Sequence, residues 1–404
     1  MKRIYFDHAA ATPIAKEVLT TMSLFWSDTF GNPSSIHKEG VVAQNALSEA
    51  RKVIADELGA HPDEIIFTGS ATESCNLALR GTVGAWKATH PEKIPHIIVC
   101  VIEHDAVLAS ARVLQKEGSV LTIISVDKEG LLDINELVDA ITMDTVIISV
   151  GYVNNEIGVV QPLREVAHAI RRWKKDVRGV ARDVRIEGDD MYPLLHTDAS
   201  QATNYLELKV PHLGVDMLTI NAAKIYGPKG VGLLLVRRGI PVNPITVGGG
   251  HERGLRAGTE NVPLIAGFAT ALQRVAEQRV DESVRLALLR DHAITKLRGM
   301  EGVTINGSLT SRIPNNINIS IRGVDHEFFC LALDAKGFAV STKSACNESD
   351  AEHSHVLEAL CSAGHDGESS GLRITLGRET TKKDINALLL AIVDVRANLI
   401  VASS

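Results

Sequence analysis

The sequence predicts an α/β protein: a large domain built on a mostly parallel sheet covered by helices, joined to a smaller α+β domain. Two observations carry the prediction. Between about residues 50 and 240, apolar runs alternate with amphipathic stretches of helical spacing, and the runs are near-continuous, as strands buried on both faces require. Near residue 260 the texture changes to long helical spacing followed by a lone strand and a mixed tail. At 404 residues the chain exceeds what one core usually holds. The large domain is placed at 14–260, and the smaller one is formed by 1–13 together with 261–404.

The elements follow in order. The apolar runs 96–102, 121–126, 145–153, 192–197, 217–220 and 231–236 are read as strands. The stretches 134–141 and 163–173 carry helical spacing. Thr68-Gly69-Ser70-Ala71-Thr72-Glu73 stands ahead of Leu77-Ala78-Leu79, so Ser70 and Glu73 fit a capping box that opens a helix. Segment 263–300 reads as one or two long helices and 315–321 as a strand. The basic segment 171–185, followed by Glu187-Gly188-Asp189-Asp190, is read as a solvated loop insertion, with an acidic-partner surface as the alternative.

Composition excludes several classes. The apolar fraction of 45% and charged fraction of 23% are those of a soluble globular protein. A net charge of −7 argues against a general nucleic-acid or anionic-membrane surface. There is no stretch of about 18 uncharged apolar residues, so no membrane span is expected, and the first residues lack a signal-peptide pattern. Five sparse cysteines, Cys75, Cys100, Cys330, Cys346 and Cys361, point to a reducing compartment, the cytoplasm, without a disulfide framework. No Cys/His cluster has zinc spacing, so no metal is expected.

Ligands of open α/β sheets bind beyond the carboxyl ends of the strands. At those ends stand Glu103-His104, Asn154-Asn155-Glu156, Asp198 with Gln201, and Lys224. A strand-end lysine can form an imine with an aldehyde cofactor, and a neighbouring carboxylate can pair with a pyridinium nitrogen; pyridoxal phosphate needs both. In isolation, Lys224 could equally be an ordinary lysine beside a turn. His104 could stack on a flat cofactor and exchange protons, or be a hydrogen-bonded structural group. The helix start at Ala71 and Thr72 offers amides and a hydroxyl to an anion, while no Walker or dinucleotide pattern occurs. Arg373 offers a planar fork for a carboxylate, or forms an ion pair. Cys346, in Ser344-Ala345-Cys346-Asn347 beside Lys343, reads as an exposed loop thiol, whereas Cys100 and Cys330 sit in apolar runs as buried cysteines do.

Several motifs appear together in order: Asp7-His8-Ala9-Ala10, Gly31-Asn32-Pro33-Ser34-Ser35-Ile36-His37, Glu103-His104, Asn154-Asn155-Glu156-Ile157-Gly158, His196-Thr197-Asp198-Ala199-Ser200-Gln201, Lys224-Ile225-Tyr226-Gly227-Pro228-Lys229-Gly230, Arg256-Ala257-Gly258-Thr259-Glu260-Asn261 and Ser344-Ala345-Cys346. From about residue 4 to 380 the chain closely resembles the cysteine desulfurases of the NifS/IscS type, within the class-V aminotransferase family of fold-type-I pyridoxal-phosphate enzymes. The resemblance implies that Lys224 carries the cofactor, Asp198 pairs with its ring nitrogen and Gln201 contacts its ring oxygen. It implies that His104 stacks on the ring, and that Ala71, Thr72 and Asn221 bind phosphate. Thr259 would be lent to a neighbouring subunit's phosphate site, making a homodimer. Asn155 and Arg373 would orient the carboxylate of L-cysteine, and Cys346 would take its sulfur for a protein acceptor or an iron–sulfur scaffold.

The chain departs from the family pattern beside the lysine. Asn221 and Ala223 stand where serine and histidine are usual, and the alanine removes a phosphate contact; a looser hold on the cofactor is expected. His251 replaces a usual glutamine, and Lys343 a frequent glycine. Two rivals share much of this pattern: another class-V enzyme, such as an aminotransferase or selenocysteine lyase, and a sulfur-relay or scaffold subunit without turnover.

Overall fold

The computed structural model describes residues 3–179, 188–342 and 354–403. A short strand, β1 (Ile4–Tyr5), precedes two helices, Lys16–Ser23 and Lys38–Leu58. Seven strands then build the main sheet: β2 (Ile65–Thr68), β3 (His96–Cys100), β4 (Val120–Ile124), β5 (Thr145–Ser149), β6 (Leu194–Asp198), β7 (Met217–Asn221) and β8 (Gly232–Val236). Their spatial order is β2-β8-β7-β6-β5-β3-β4, with β3, β4, β5, β6 and β7 parallel to one another. All six expected runs form strands, and the sheet is mostly parallel as predicted.

The strand residues explain the continuous apolar runs. In β3, Ile98 and Cys100 enter the core on one face of the sheet, while Ile97 and Val99 enter the core on the other. In β8 the same alternation sends Leu233 and Leu235 one way, Leu234 and Val236 the other. A helical layer covers each face, so most positions along these strands are apolar, and the buried polar ones pair across strands, as His96 does with Thr145 and His196 with Ser149 and Thr219.

Two features depart from the simplest reading. β8 runs antiparallel to both β7 and β2. The connection from β7 to β8 is only about ten residues, too short for the crossover that a parallel pair demands. β2 forms the sheet edge although its four residues, Ile65-Ile66-Phe67-Thr68, are too few to show a period in the sequence. The basic segment also differs from the loop expected for it: the helix Leu163–Arg178 runs through its first half, with Lys174 Nζ on the Met191 carbonyl at 2.6 Å and Arg178 Nη2 on the Met143 carbonyl at 2.6 Å. Residues 180–187 lie outside the described residues.

The stretch expected as one or two helices is a single helix, Val262–Arg298, capped by Asn261, whose side chain accepts from the Leu264 amide. Its first half buries Ile265, Phe268, Leu272 and Val275 against the main sheet; its second half buries Leu286, Ala293, Ile294 and Leu297 in a separate core. That core is built on the antiparallel strands β9 (Val303–Ile305), β10 (Asn316–Ile321) and β12 (Leu372–Thr375), in the order β12-β10-β9. β11 (Phe338–Ala339) pairs in parallel with β1, so the first residues of the chain join the fold beside its last third. Among the described residues no helix is long and apolar enough to cross a membrane.

Candidate active site

The parallel strands deliver their carboxyl ends to one rim, and the turns there fix each side chain. After β3, His104 caps the helix Asp105–Lys116: its Nδ1 accepts from the Ala106 amide at 3.0 Å. That bond makes Nδ1 the acceptor, so a neutral ring carries its proton on Nε2. After β5, Asn154 is structural. Its Nδ2 donates to the Ile102 carbonyl at 2.8 Å, and its Oδ1 takes the Glu156 and Ile157 amides. The neighbouring Asn155 is thereby set at the cleft, with its carbonyl accepting from Arg373 Nη1 at 3.1 Å.

At the end of β6, Asp198 Oδ1 accepts from the Ser200 amide at 2.9 Å, and Gln201 Nε2 donates to the Ala9 carbonyl at 3.0 Å. At the end of β7, Asn221 Oδ1 takes the Ala223 amide at 3.1 Å and starts the tight turn Ala222–Lys224. Lys224 Nζ donates to the carbonyls of Ala9 and Ala10 at 2.7 and 2.6 Å. The N-terminal segment therefore closes one wall of the site.

The helix start after β2 differs in detail from a capping box. Ser70 Oγ accepts from the Glu73 amide as expected, but the Glu73 carboxylate reaches past Ser70 to the Gly69 amide at 2.6 Å and also binds Arg256 Nε at 2.8 Å. The ion pair with Arg256 draws the carboxylate away from the reciprocal bond. The helix Ala71–Asn76 sits hard against β8. A Cβ on Gly232 would lie 2.9 Å from the Ala71 amide nitrogen, so only glycine allows the approach.

A cavity of about 160 Å³ results. Nine predicted residues line it: Ala71, Thr72, His104, Asn155, Asp198, Gln201, Asn221, Lys224 and Arg373. Two do not join them. Thr259 lines a different cavity, with Thr68, Gly69 and Arg256 beyond the end of β2, because the segment that carries it is drawn there by the Arg256–Glu73 and Arg51–Glu252 pairs. Cys346, with Lys343, lies outside the described residues. Arg373 is no surface ion pair: its side chain is 2% exposed and pairs with Asp7.

Of the four described cysteines, Cys75 and Cys100 are buried and Cys330 and Cys361 half-buried, so the expectation of a buried Cys330 holds only in part. Burial raises every one of these thiols, that of Cys330 to about 11. None of the four is poised as a thiolate.

Glu103, which precedes His104 at the end of β3, carries no signal of its own in the sequence. Its carboxyl lines the cavity, accepts from the Gly151 amide at 2.6 Å and is pushed up to about 8, chiefly by burial and secondarily by the Asp198 charge, against the pull of the Gly151 bond. The folded chain keeps a proton there that the unfolded chain releases above its ordinary value of 4.5, so the stability it confers is lost as pH rises from there to about 8. The cofactor-free Glu103→Gln variant is expected to gain on the parent across that window by up to about 5 kcal/mol. Urea unfolding at several pH values reads this, and a gap that stays constant with pH would contradict it.

The donor set suits pyridoxal phosphate. An amine and a carboxylate face one cavity, an imidazole stands at its edge, and Ser200 Oγ and Arg373 Nε are buried without a partner among the described residues. Such a site defines an enzyme of the fold-type-I pyridoxal-phosphate class. The family model "Aminotransferase class-V" matches residues 4–388, and the chain belongs to that family. It is 41% identical over 391 residues to "Cysteine desulfurase IscS" of Dictyoglomus turgidum, covering 96% of this chain and 93% of that protein. A solved "NifS-like protein" superposes with a TM-score of 0.87 at 31% identity, covering 98% of this chain and all of the other. A structure titled "SspA in complex with cysteine" matches at 33% identity with a TM-score of 0.75, covering 92% and 98%.

Proposed function

We propose that the chain is a pyridoxal-phosphate-dependent cysteine desulfurase, converting L-cysteine to L-alanine and holding the released sulfur as a persulfide on Cys346. The observation that carries this reading is the cleft itself. Lys224, Asp198 and Arg373 face one cavity, and the chain on both sides of Cys346 is fastened at its edge. On one side, Ser341 exchanges two backbone hydrogen bonds with Arg373. On the other, Ser354 Oγ donates to Glu156 Oε2 at 2.6 Å and His355 Nε2 lies 3.0 Å from the Glu103 carbonyl.

The bound cofactor supplies an aldehyde and an electron-withdrawing ring. Lys224 would hold the aldehyde, and its amine would serve to move the Cα proton of the bound substrate. Asp198 would keep the ring nitrogen protonated, Gln201 would contact the ring oxygen and His104 would cover the ring face. Ala71, Thr72 and Asn221 would hold the phosphate. Arg373 and Asn155 orient the substrate carboxylate, so that the Cβ–S bond faces the nucleophile. Cys346 Sγ, as thiolate, attacks the substrate sulfur: the Sγ–S bond forms, the Cβ–S bond breaks, and the carbon fragment takes a proton and leaves as alanine.

The same reading makes the chain a cytoplasmic homodimer whose Thr259 completes the neighbouring subunit's phosphate site, and whose division falls at 14–260 against 1–13 and 261–404. Its acceptor is a sulfur-carrying protein or an iron–sulfur scaffold, serving cluster assembly or tRNA thiolation. Holoenzyme given L-cysteine and a reductant is expected to release alanine and sulfide in equal amounts. Alanine formation that requires a keto acid would make it an aminotransferase, and absence of both products would make it a scaffold.

Asn221 commits its Oδ1 to the Ala223 amide, leaving its Nδ2 to donate to phosphate, while Ala223 contributes no polar group. Ala223→His is therefore expected to slow loss of the cofactor during dialysis at neutral pH several-fold, about one neutral hydrogen bond's worth. Equal retention in variant and parent would contradict the loose grip.

A further inference from the structure

Burying a guanidinium carries a desolvation cost that its partners must offset, and what balances Arg373 decides how the cleft meets a ligand. Nη2 donates to Asp7 Oδ1 at 2.9 Å and Nη1 to the Asn155 carbonyl at 3.1 Å. Asp7 is itself held. It bridges Thr375 on β12, the Ala9 amide donates to Thr375 Oγ1 at 2.9 Å, and Tyr5 OH donates to the Asp7 carbonyl at 2.9 Å. A guanidinium has five N–H donors. Arg373 spends two on these partners, and its Nε is buried without one among the described residues. The fork therefore keeps donors for a carboxylate while its charge is already balanced from within the chain.

We propose that Asp7 is a positioning residue that sets the affinity of the cleft for the substrate's carboxylate. It orients Arg373 and neutralises it in the free protein, so an incoming carboxylate binds beside a carboxylate already in place. The inference rests on the reading of Arg373 as the carboxylate clamp. Asp7→Asn keeps a carbonyl that accepts from Nη2 and removes only the charge. The free protein then lacks its counter-ion, and a ligand carboxylate supplies it.

The test uses holoenzyme carrying Cys346→Ser, titrated with L-cysteine and with cysteamine, which has the same thiol and amine and no carboxylate; the absorbance of the cofactor reports binding. Asp7→Asn is expected to lower the apparent dissociation constant for L-cysteine about tenfold and to leave that for cysteamine unchanged. Asp7→Ser, which also removes the charge, carries the same expectation if the asparagine variant does not fold. L-Cysteine binding that is unchanged or weaker, or a shift shared equally by cysteamine, overturns the proposal. Arg373→Gln separates the two levels. If it binds L-cysteine as the parent does, the clamp reading falls. If it weakens L-cysteine while the Asp7 variants fail to strengthen it, the role of Asp7 alone falls.

Discussion

Lys224→Ala is expected to lower alanine and sulfide formation from L-cysteine by roughly three to four orders of magnitude. The turn that carries this lysine is set by the Asn221 side chain and by Asn204 Nδ2 on the Lys224 carbonyl at 2.6 Å, so the backbone does not depend on the amine. What the substitution removes is the group that donates to the Ala9 and Ala10 carbonyls in the free protein and that, on the proposed reading, would hold the cofactor in the loaded one. The variant should therefore fold, with a thermal midpoint close to the parent's, and should lack the absorbance band of lysine-bound cofactor. Turnover within tenfold of the parent would mean that another amine does the work.

Cys346→Ser is expected to reduce sulfide release by roughly three orders of magnitude while L-cysteine still perturbs the cofactor spectrum. Burial raises the thiols of all four described cysteines and so disfavours each as the attacking thiolate. Chain length permits Cys346 to reach the cleft. Four residues from Thr342 extend at most about 14 Å, and Thr342 follows Ser341, whose amide and carbonyl are hydrogen-bonded to Arg373. Sulfide release by the serine variant at the parent rate would remove Cys346 from the chemistry.

The parts of this site that depend on short stretches of chain were legible in the sequence. Each parallel strand announces itself as an apolar run, and each run ends on a polar residue that the sheet must turn toward one rim; His104, Asp198 and Lys224 were found that way. What required the fold was any pairing across long sequence separations. Arg373 meets Asp7 across 366 positions, and no periodicity marks that partnership, so a surface ion pair remained an open reading. Glu103 escaped because its carboxyl differs from others only through burial against Gly151 and the field of Asp198. Thr259 was quoted within its motif, but its location in a second cavity follows from two carboxylate–guanidinium pairs, Glu73–Arg256 and Glu252–Arg51, that join distant segments. The reversed strand β8 could have been foreseen from the shortness of its connection to β7.

The central claim is that this cleft moves sulfur from L-cysteine to Cys346. Its most direct test is a single turnover: cofactor-loaded protein mixed with less than one equivalent of L-cysteine without reductant, then peptide mass spectrometry and alanine quantification on the same sample. The expected result is one sulfur atom added to the peptide carrying Cys346 for each alanine formed, and none on the peptides carrying Cys75, Cys100, Cys330 or Cys361. Alanine formed with Cys346 unmodified, or no alanine formed at all, would contradict the account.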